Sequence, residues 1–252
     1  MIHVLTIHFN SDIWIDLQLA KIKKHIKECK VWSYADGFDI SEHKHKFHYL
    51  ENSKTIKQKW VSANHWTKLN KLTDCVLNDS NTKNDDILIW MDSDAFPVSD
   101  VSDYINKKLK KYSLVAVYRP EEAGDVIPHP SFTCSTVEFW KQHKLTWDGV
   151  PKKPRFRHEP GTHDSGGQLY FYMLDNNIEW YKMRRSRSLT EHPVFFTIYD
   201  NLVYHHGSGS RKNKRWKPSC RWEHETQMKL EYNTNEIFNN IKRDNFNFLE
   251  SE

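Results

Sequence analysis

Two aspartates, Asp92 and Asp94, close the run DDILIWMDSD at residues 85–94. Residues i and i+2 of an extended chain point the same way, so both carboxylates can face one cation. Hard oxygen donors of this kind suit Mg²⁺ or Mn²⁺ bridging phosphate oxygens. A polar turn closing a strand would contain the same residues. Position separates the two readings, because the pair follows the most strand-like run in the chain. Ile87–Met91 is continuously apolar, as expected for a central strand buried on both faces. In open α/β sheets, ligands sit outside the carboxyl ends of such strands.

A second stretch, YHHGSGSRKNKRW at residues 204–216, follows directly on another apolar run. Glycines let backbone amides approach an anion closely. Lysine and arginine neutralise diphosphate charge, and an imidazole can complete a metal's coordination. His206, Gly209 and Lys212 make an H-x-x-G-x-x-K pattern. His205 competes with His206 as the ligand, and Arg211 and Lys214 compete with Lys212. The plainer alternative is a basic loop that happens to hold a histidine.

The elements that must position these residues alternate along the first half. IHVLTIHF reads as a first strand, and SDIWIDLQLAKIKKHIKE has helical spacing with Ser11 or Asp12 placed to cap it. CKVWSYADG reads as a strand ending in a turn. Residues 55–78 form an amphipathic helix with Trp60, Val61, Trp66, Leu69, Leu72 and Val76 as inner positions. DDILIWM and SLVAVYR are further strands, separated by a basic helix around SDYINKKLKKY. The alternation predicts an α/β fold, a mostly parallel central sheet flanked by helices. In the second half VIPHPSFTCSTVEFWKQH mixes extended and helical signals, and Trp147–Gly161 reads as a loop. SGGQLYFYMLDNN looks like a helix entered through a glycine pair, VFFTIYDNLVYHH gives one or two strands, and the Asn-rich end is helical in part. No linker or repeat is evident, so residues 1–252 are expected to form one domain. It divides into a first part (1–118), a second part (119–216) and a helical tail (217–252).

The chain has 252 residues, a formal charge of +4, and 10 Trp, 11 Tyr and 13 Phe. No stretch approaches the ~20 apolar residues that a membrane-spanning helix needs. MIHVLTIHFN lacks the basic flank and longer apolar core of a secretory signal. Cys29, Cys75, Cys134 and Cys220 lie far apart and read as reduced thiols, so a cytoplasmic location is expected. The basic excess gathers in KKPRFR (152–157), RRSR (184–187) and SRKNKRWK (210–217). Such clusters suit an anionic partner, whether nucleotide diphosphate, nucleic acid or acidic lipid.

Taken together, ILIWMDSDAFP and HHGSGSRK resemble the nucleotide-sugar-dependent glycosyltransferases of the GT-A fold, with their D-x-D motif and H-x-x-G-x-x-K stretch. The resemblance covers most of residues 1–216 in element order. It departs at Lys212, which is followed by Asn213 where Pro-Trp often stands in the family. The resemblance implies a Mn²⁺ or Mg²⁺ ion on Asp92, Asp94 and His206, with Ser93 between the carboxylates. Gly209, Arg211 and Lys212 would lie around the departing diphosphate. Thr6, His8, Asn10 and Asp36 at the ends of the early strands would hold the nucleoside, and Lys59 is a further nucleotide contact. Asp164, before the glycine pair of HEPGTHDSGGQLYF, is similar to the family's acidic residue beside sugar and acceptor; its other role is to cap the helix, and Glu159 and His163 are alternates. Gln168, one turn on, would contact the donor sugar. The implied activity is sugar transfer from a nucleoside-diphosphate-sugar, UDP-linked in the first instance, to a hydroxyl of a glycan or small soluble acceptor. A rival acceptor is a hydroxylated base of modified DNA. Other classes weighed are a nucleotidyltransferase or nuclease, which usually wants a third carboxylate, and a nucleic-acid-binding module, which has no use for Asp92 and Asp94. Sugar, nucleobase and anomeric outcome stay open at this level.

Overall fold

The computed structural model describes residues 1–52, 61–120, 125–151, 159, 161–188, 196–207, 234–247 and 249–251, with the backbone alone for Val61, Ser62, Thr234, Asn235, Glu250 and Ser251. Its elements are β1 (Ile2–Phe9), α1 (Ile15–His25), β2 (Cys29–Asp36), β3 (Tyr49–Asn52), α2 (Val61–Leu77), β4 (Ile87–Asp92), β5 (Ala95–Pro97) and α3 (Ser102–Leu109). There follow β6 (Leu114–Arg119), β7 (Asp125–Thr136), α4 (Val137–Gln142), α5 (Gly167–Asp175), β8 (Tyr181–Met183), β9 (Arg185–Ser188), β10 (Thr197–Tyr199), β11 (Val203–His205), α6 (Thr234–Lys242) and β12 (Glu250–Ser251).

The architecture is α/β with a mostly parallel central sheet. Seven strands run in the order β3-β2-β1-β4-β7-β6-β8. Every neighbouring pair is parallel except those that β7 makes with β4 and β6. β4 lies at the centre, and its residues alternate between two apolar layers, as the two-residue period of a strand requires. Ile87, Ile89 and Met91 face one layer with Ile15, Ile22 and Ile105. Leu88 and Trp90 face the other with Leu69, Leu72, Trp140 and Trp147. Full burial of each such side chain is worth about 1.5–3 kcal/mol, which is why this run becomes the middle of the sheet. Trp90 meets its polar requirement inside that layer, its indole N–H donating to Thr73 Oγ1 at 2.9 Å.

A second sheet of five strands, β12-β9-β10-β11-β5, is antiparallel throughout. β4 ends at Asp92 and β5 begins at Ala95, so the chain passes from the first sheet to the second through Ser93 and Asp94. The acidic turn therefore stands at the junction of the sheets.

Several local expectations need adjusting. α1 begins behind Trp14, with no side-chain cap, while Ser11 Oγ accepts from Ile13 N–H in the preceding turn. Trp14 is buried against Phe96 and Phe238, so packing sets the helix start in place of a capping hydroxyl. In α2, Leu69, Leu72 and Val76 are buried as the spacing predicts, and Trp66 is half-buried. Trp60 and the Val61 side chain lie outside what is described. β3, at the sheet edge, is too short to stand out in the sequence.

Candidate metal centre

The acidic turn is held at both ends by one buried amide. Gln18 on α1 donates through Nε2 to the carbonyls of Asp92 (2.7 Å) and Ala95 (2.8 Å), and its Oε1 accepts from the Thr6 hydroxyl at 3.3 Å. With both donors and its acceptor engaged, the amide fixes the turn that carries the two carboxylates. β11 then pairs with β5 in the register His205–Ala95, and the His206 N–H donates to the Asp94 carbonyl at 3.0 Å. That register sets the His205 imidazole against both acids: Nε2 is 3.6 Å from Asp92 Oδ2 and 3.5 Å from Asp94 Oδ1. One potential ligand atom from each of Asp92, Asp94 and His205 lies within 4.8 Å of the other two.

These residues fit a hard divalent cation. Two donors each about 2.1 Å from a shared ion, at octahedral to tetrahedral angles, stand roughly 3.0–3.4 Å apart. The contacts of 3.5 and 3.6 Å are close to that and longer than a direct charge-assisted hydrogen bond of about 2.7–2.9 Å. Two carboxylates and an imidazole suit Mn²⁺ or Mg²⁺. Burial pushes the Asp92 carboxyl up and nearby Asp94 adds to it, while His65, His205 and Arg119 pull it down. A cation would offset the same repulsion.

The imidazole at this position is that of His205, which corrects the expectation for His206. Adjacent residues of a pleated strand face opposite ways. His206 Nδ1 lies 3.1 Å from the Tyr204 hydroxyl, two residues back on the same face. Its ring packs between Trp14 and Phe196, at centroid distances of 4.6 and 4.8 Å. His206 is thus a buried packing residue behind the strand.

Two groups that no sequence pattern singles out act on Asp92, His65 by contact and Arg119 through its charge. His65 on α2 has Nε2 3.6 Å from Asp92 Oδ1 and Nδ1 3.0 Å from Ser165 Oγ. Arg119, at the end of β6, forms a buried ion pair with Asp125, with Nη2 3.0 Å from Oδ2. A signal for α2 is nevertheless present in the sequence: Lys68 and Thr73 interrupt an otherwise apolar stripe, and both are buried. Polar groups on an inner helix face need partners there.

The residues expected around the nucleoside are placed differently from one another. Thr6 is fully buried and serves Gln18. His8 is fully buried against Phe47, and neither ring nitrogen has a hydrogen-bond partner among the described residues. Burial holds its pKa down at about 3. Asn10 is exposed at φ +58°, with its N–H donating to the Asp36 carbonyl at 2.7 Å. Asp36 is buried and its Oδ2 accepts from Lys68 Nζ at 2.5 Å. Ser93 is half-buried in the acidic turn. Asp164 is exposed, its Oδ1 accepting from Ser165 N–H at 2.8 Å in the turn ahead of α5. The residue directly before α5 is Gly166, at φ +101°. Gln168 is exposed and its N–H donates to the Asp148 carbonyl. Lys59, Gly209, Arg211 and Lys212 lie outside the described residues, as do the basic stretches 152–157 and 210–217.

No protein-family model and no curated protein matches the sequence. Solved structures with a similar fold include the glycosyltransferase GlyE of Streptococcus pneumoniae TIGR4, at 14% identity over 71% of this chain and 44% of that one, TM-score 0.43. The mannosyltransferase PcManGT of Pyrobaculum calidifontis, solved with GDP-Man and Mn²⁺, matches at 14% identity over 72% of this chain and 54% of that one, TM-score 0.43. TarS of S. aureus matches at 12% identity over 68% and 33%, TM-score 0.43. The chain spans from a third to a little over half of the length of these proteins. Among the described residues no helix is long and apolar enough to cross a membrane.

Proposed function

We propose that this chain is a metal-dependent glycosyltransferase that moves a sugar from a nucleoside-diphosphate-sugar, UDP-linked in the first instance, to a hydroxyl of a glycan or small soluble acceptor. One observation carries the reading. Two carboxylates from the end of the central strand and an imidazole over a hundred residues downstream meet at 3.5–3.6 Å where the two sheets join. Asp92, Asp94 and His205 would hold Mn²⁺ or Mg²⁺. When bound there, the ion supplies Lewis-acid stabilisation of the charge on a departing diphosphate.

The chain's own residues have distinct tasks in this scheme. Gln18 keeps the acidic turn in place, so that no reorganisation is needed as charge develops. We assign Asp164, whose Oδ1 accepts from the N–H of Ser165, the residue that meets His65, as the base or orienting carboxylate for the acceptor hydroxyl. Gln168, two residues beyond Gly166, is the contact to the donor sugar. Gly209, Arg211 and Lys212 remain the proposed diphosphate contacts and Lys59 a nucleotide contact, on their sequence pattern.

A nucleotidyltransferase or nuclease is supported less well. The Asp92, Asp94 and His205 group has two carboxylates only, and Asp100 and Asp103 pair with Lys27 at 3.2 and 3.8 Å. A DNA acceptor loses support at the RRSR cluster, which is engaged with the protein itself. Arg184 lies 4.5 Å over the Tyr118 ring, and Arg187 donates to the carbonyls of Phe246 and Leu249. Incubation with Mn²⁺ and a panel of nucleotide-sugars, read as released nucleoside diphosphate, tests the proposal. Release that requires the sugar and is abolished by Asp92→Asn and Asp94→Asn is the expected result. Turnover of free nucleotide without sugar would overturn it in favour of hydrolytic or nucleotidyl chemistry.

A further inference from the structure

His65 has no counterpart in the sequence pattern, yet it stands between Asp92 and Ser165. Its side chain is one-third exposed, and Asp92 has an imidazole facing each carboxylate oxygen. His205 Nε2 is 3.6 Å from Oδ2, and His65 Nε2 is 3.6 Å from Oδ1. The far nitrogen of His65 is engaged as well, with Nδ1 3.0 Å from the hydroxyl of buried Ser165. The Ser165 N–H donates to Asp164 Oδ1 at 2.8 Å. One ring therefore lies between the Asp92 carboxylate and the turn that carries the exposed Asp164.

The Ser165 hydroxyl can donate to or accept from Nδ1, so the contact accommodates either tautomer. If the Ser165 hydroxyl donates to Nδ1, the ring proton sits on Nε2 and points at Asp92. A separation of 3.6 Å is too long for a direct hydrogen bond, so a small movement of Asp92 or of the ring closes it. His65 also lies outside the three-donor group of Asp92, Asp94 and His205, which argues against a role as a ligand. Carboxylate ligands are commonly oriented by such outer hydrogen-bond partners.

We propose that His65 is a positioning residue that couples metal occupancy at Asp92 to the order of the Ser165–Asp164 turn. This rests on the metal reading given above. Mn²⁺ affinity without nucleotide, measured from the electron paramagnetic resonance signal of the free ion, is the primary test. Thermal melts by circular dichroism establish that each variant is folded.

His65→Ala is expected to weaken Mn²⁺ binding by about 10–100-fold. Ser165→Ala should weaken it by roughly 3–10-fold, the scale of one hydrogen bond. Because both act through one ring, the double variant should bind no more weakly than His65→Ala alone. His65→Gln, whose amide can donate toward Asp92, should recover part of the loss. Mn²⁺ should also slow hydrogen exchange at the amides of residues 161–167 in the native protein and not in His65→Ala. Native affinity in His65→Ala, or additive losses in the double variant, would overturn the coupling. If the native protein binds Mn²⁺ and Asp92→Asn does not, the metal reading survives that failure. If the native protein binds no Mn²⁺, both readings fall.

Discussion

Substituting each of the two neighbouring histidines by alanine should separate their effects on metal affinity. His205→Ala removes one of the three donors. Its ring is as buried as that of His206, so stability falls as well. Its Nε2 contacts are to Asp92 and Asp94 and its Nδ1 has no hydrogen-bond partner among the described residues, so the main effect is on metal affinity. Loss of an outer partner of a metal ligand alone costs about 10–100-fold in affinity, so loss of the ligand itself should cost at least about 100-fold, or ~2.7 kcal/mol. His206→Ala removes a ring that is 3% exposed, packed between Trp14 and Phe196, and bonded to Tyr204. Truncation of a buried ring with its hydrogen bond should destabilise the fold by about 2–4 kcal/mol. For a chain of this size that corresponds to a fall in Tm of roughly 5–15 °C. The assays are Mn²⁺ titration calorimetry and differential scanning calorimetry on both variants. Once folded at low temperature, His206→Ala should bind Mn²⁺ within about threefold of the native protein, near the ~0.6 kcal/mol limit of significance. The strand register fails as an explanation if His206→Ala abolishes metal binding while His205→Ala retains it.

Other perturbations follow from the same packing. His8 has a folded pKa of about 3 against 6.5 unfolded, so below pH 6.5 the unfolded chain takes up a proton that the folded chain refuses. Its contribution is therefore lost as pH falls, by about 2 kcal/mol between pH 6.5 and 5, and His8→Leu should flatten the urea-denaturation stability profile across that window. An unchanged slope would show that His8 is hydrated or paired in solution. Lys68→Met removes the cation from beside the buried Asp36 carboxylate and should cost about 3–5 kcal/mol by chemical denaturation, with much of the loss recovered in Lys68→Met/Asp36→Asn. At Gly167 a Cβ would lie 1.7 Å from the Thr162 carbonyl oxygen. Gly167→Ala must therefore push the Asp164 turn away from α5, lowering Tm and reducing turnover more than Mn²⁺ affinity. Equal activity in that variant would remove Asp164 from the chemistry.

Much of the first half of this chain is legible in its residues alone, because periodicity is a local property. A continuous apolar run, an alternating strand and a helical stripe each report the surface they will bury, whatever their partners are. That is how Ile87–Met91 is recognisable as the central strand, and Asp92 and Asp94 as groups delivered to its carboxyl end. The polar residues within the α1 and α2 stripes, Gln18 and Lys68, are also visible as exceptions. Their partners, the backbone of the acidic turn and Asp36, lie on other elements.

What the tertiary structure decided is which of two adjacent imidazoles meets the acids. Composition and spacing are nearly the same for His205 and His206. Only the pairing of β11 with β5, across more than a hundred residues, sets which side of the pleat each one occupies. A register shift of one residue would exchange them. The approach of His65 and Ser165 to Asp92 is likewise a product of α2, β4 and the turn before α5 packing at one place. No window of sequence contains that contact, because its participants are 27, 73 and 100 positions apart, joined by burial and not by the chain.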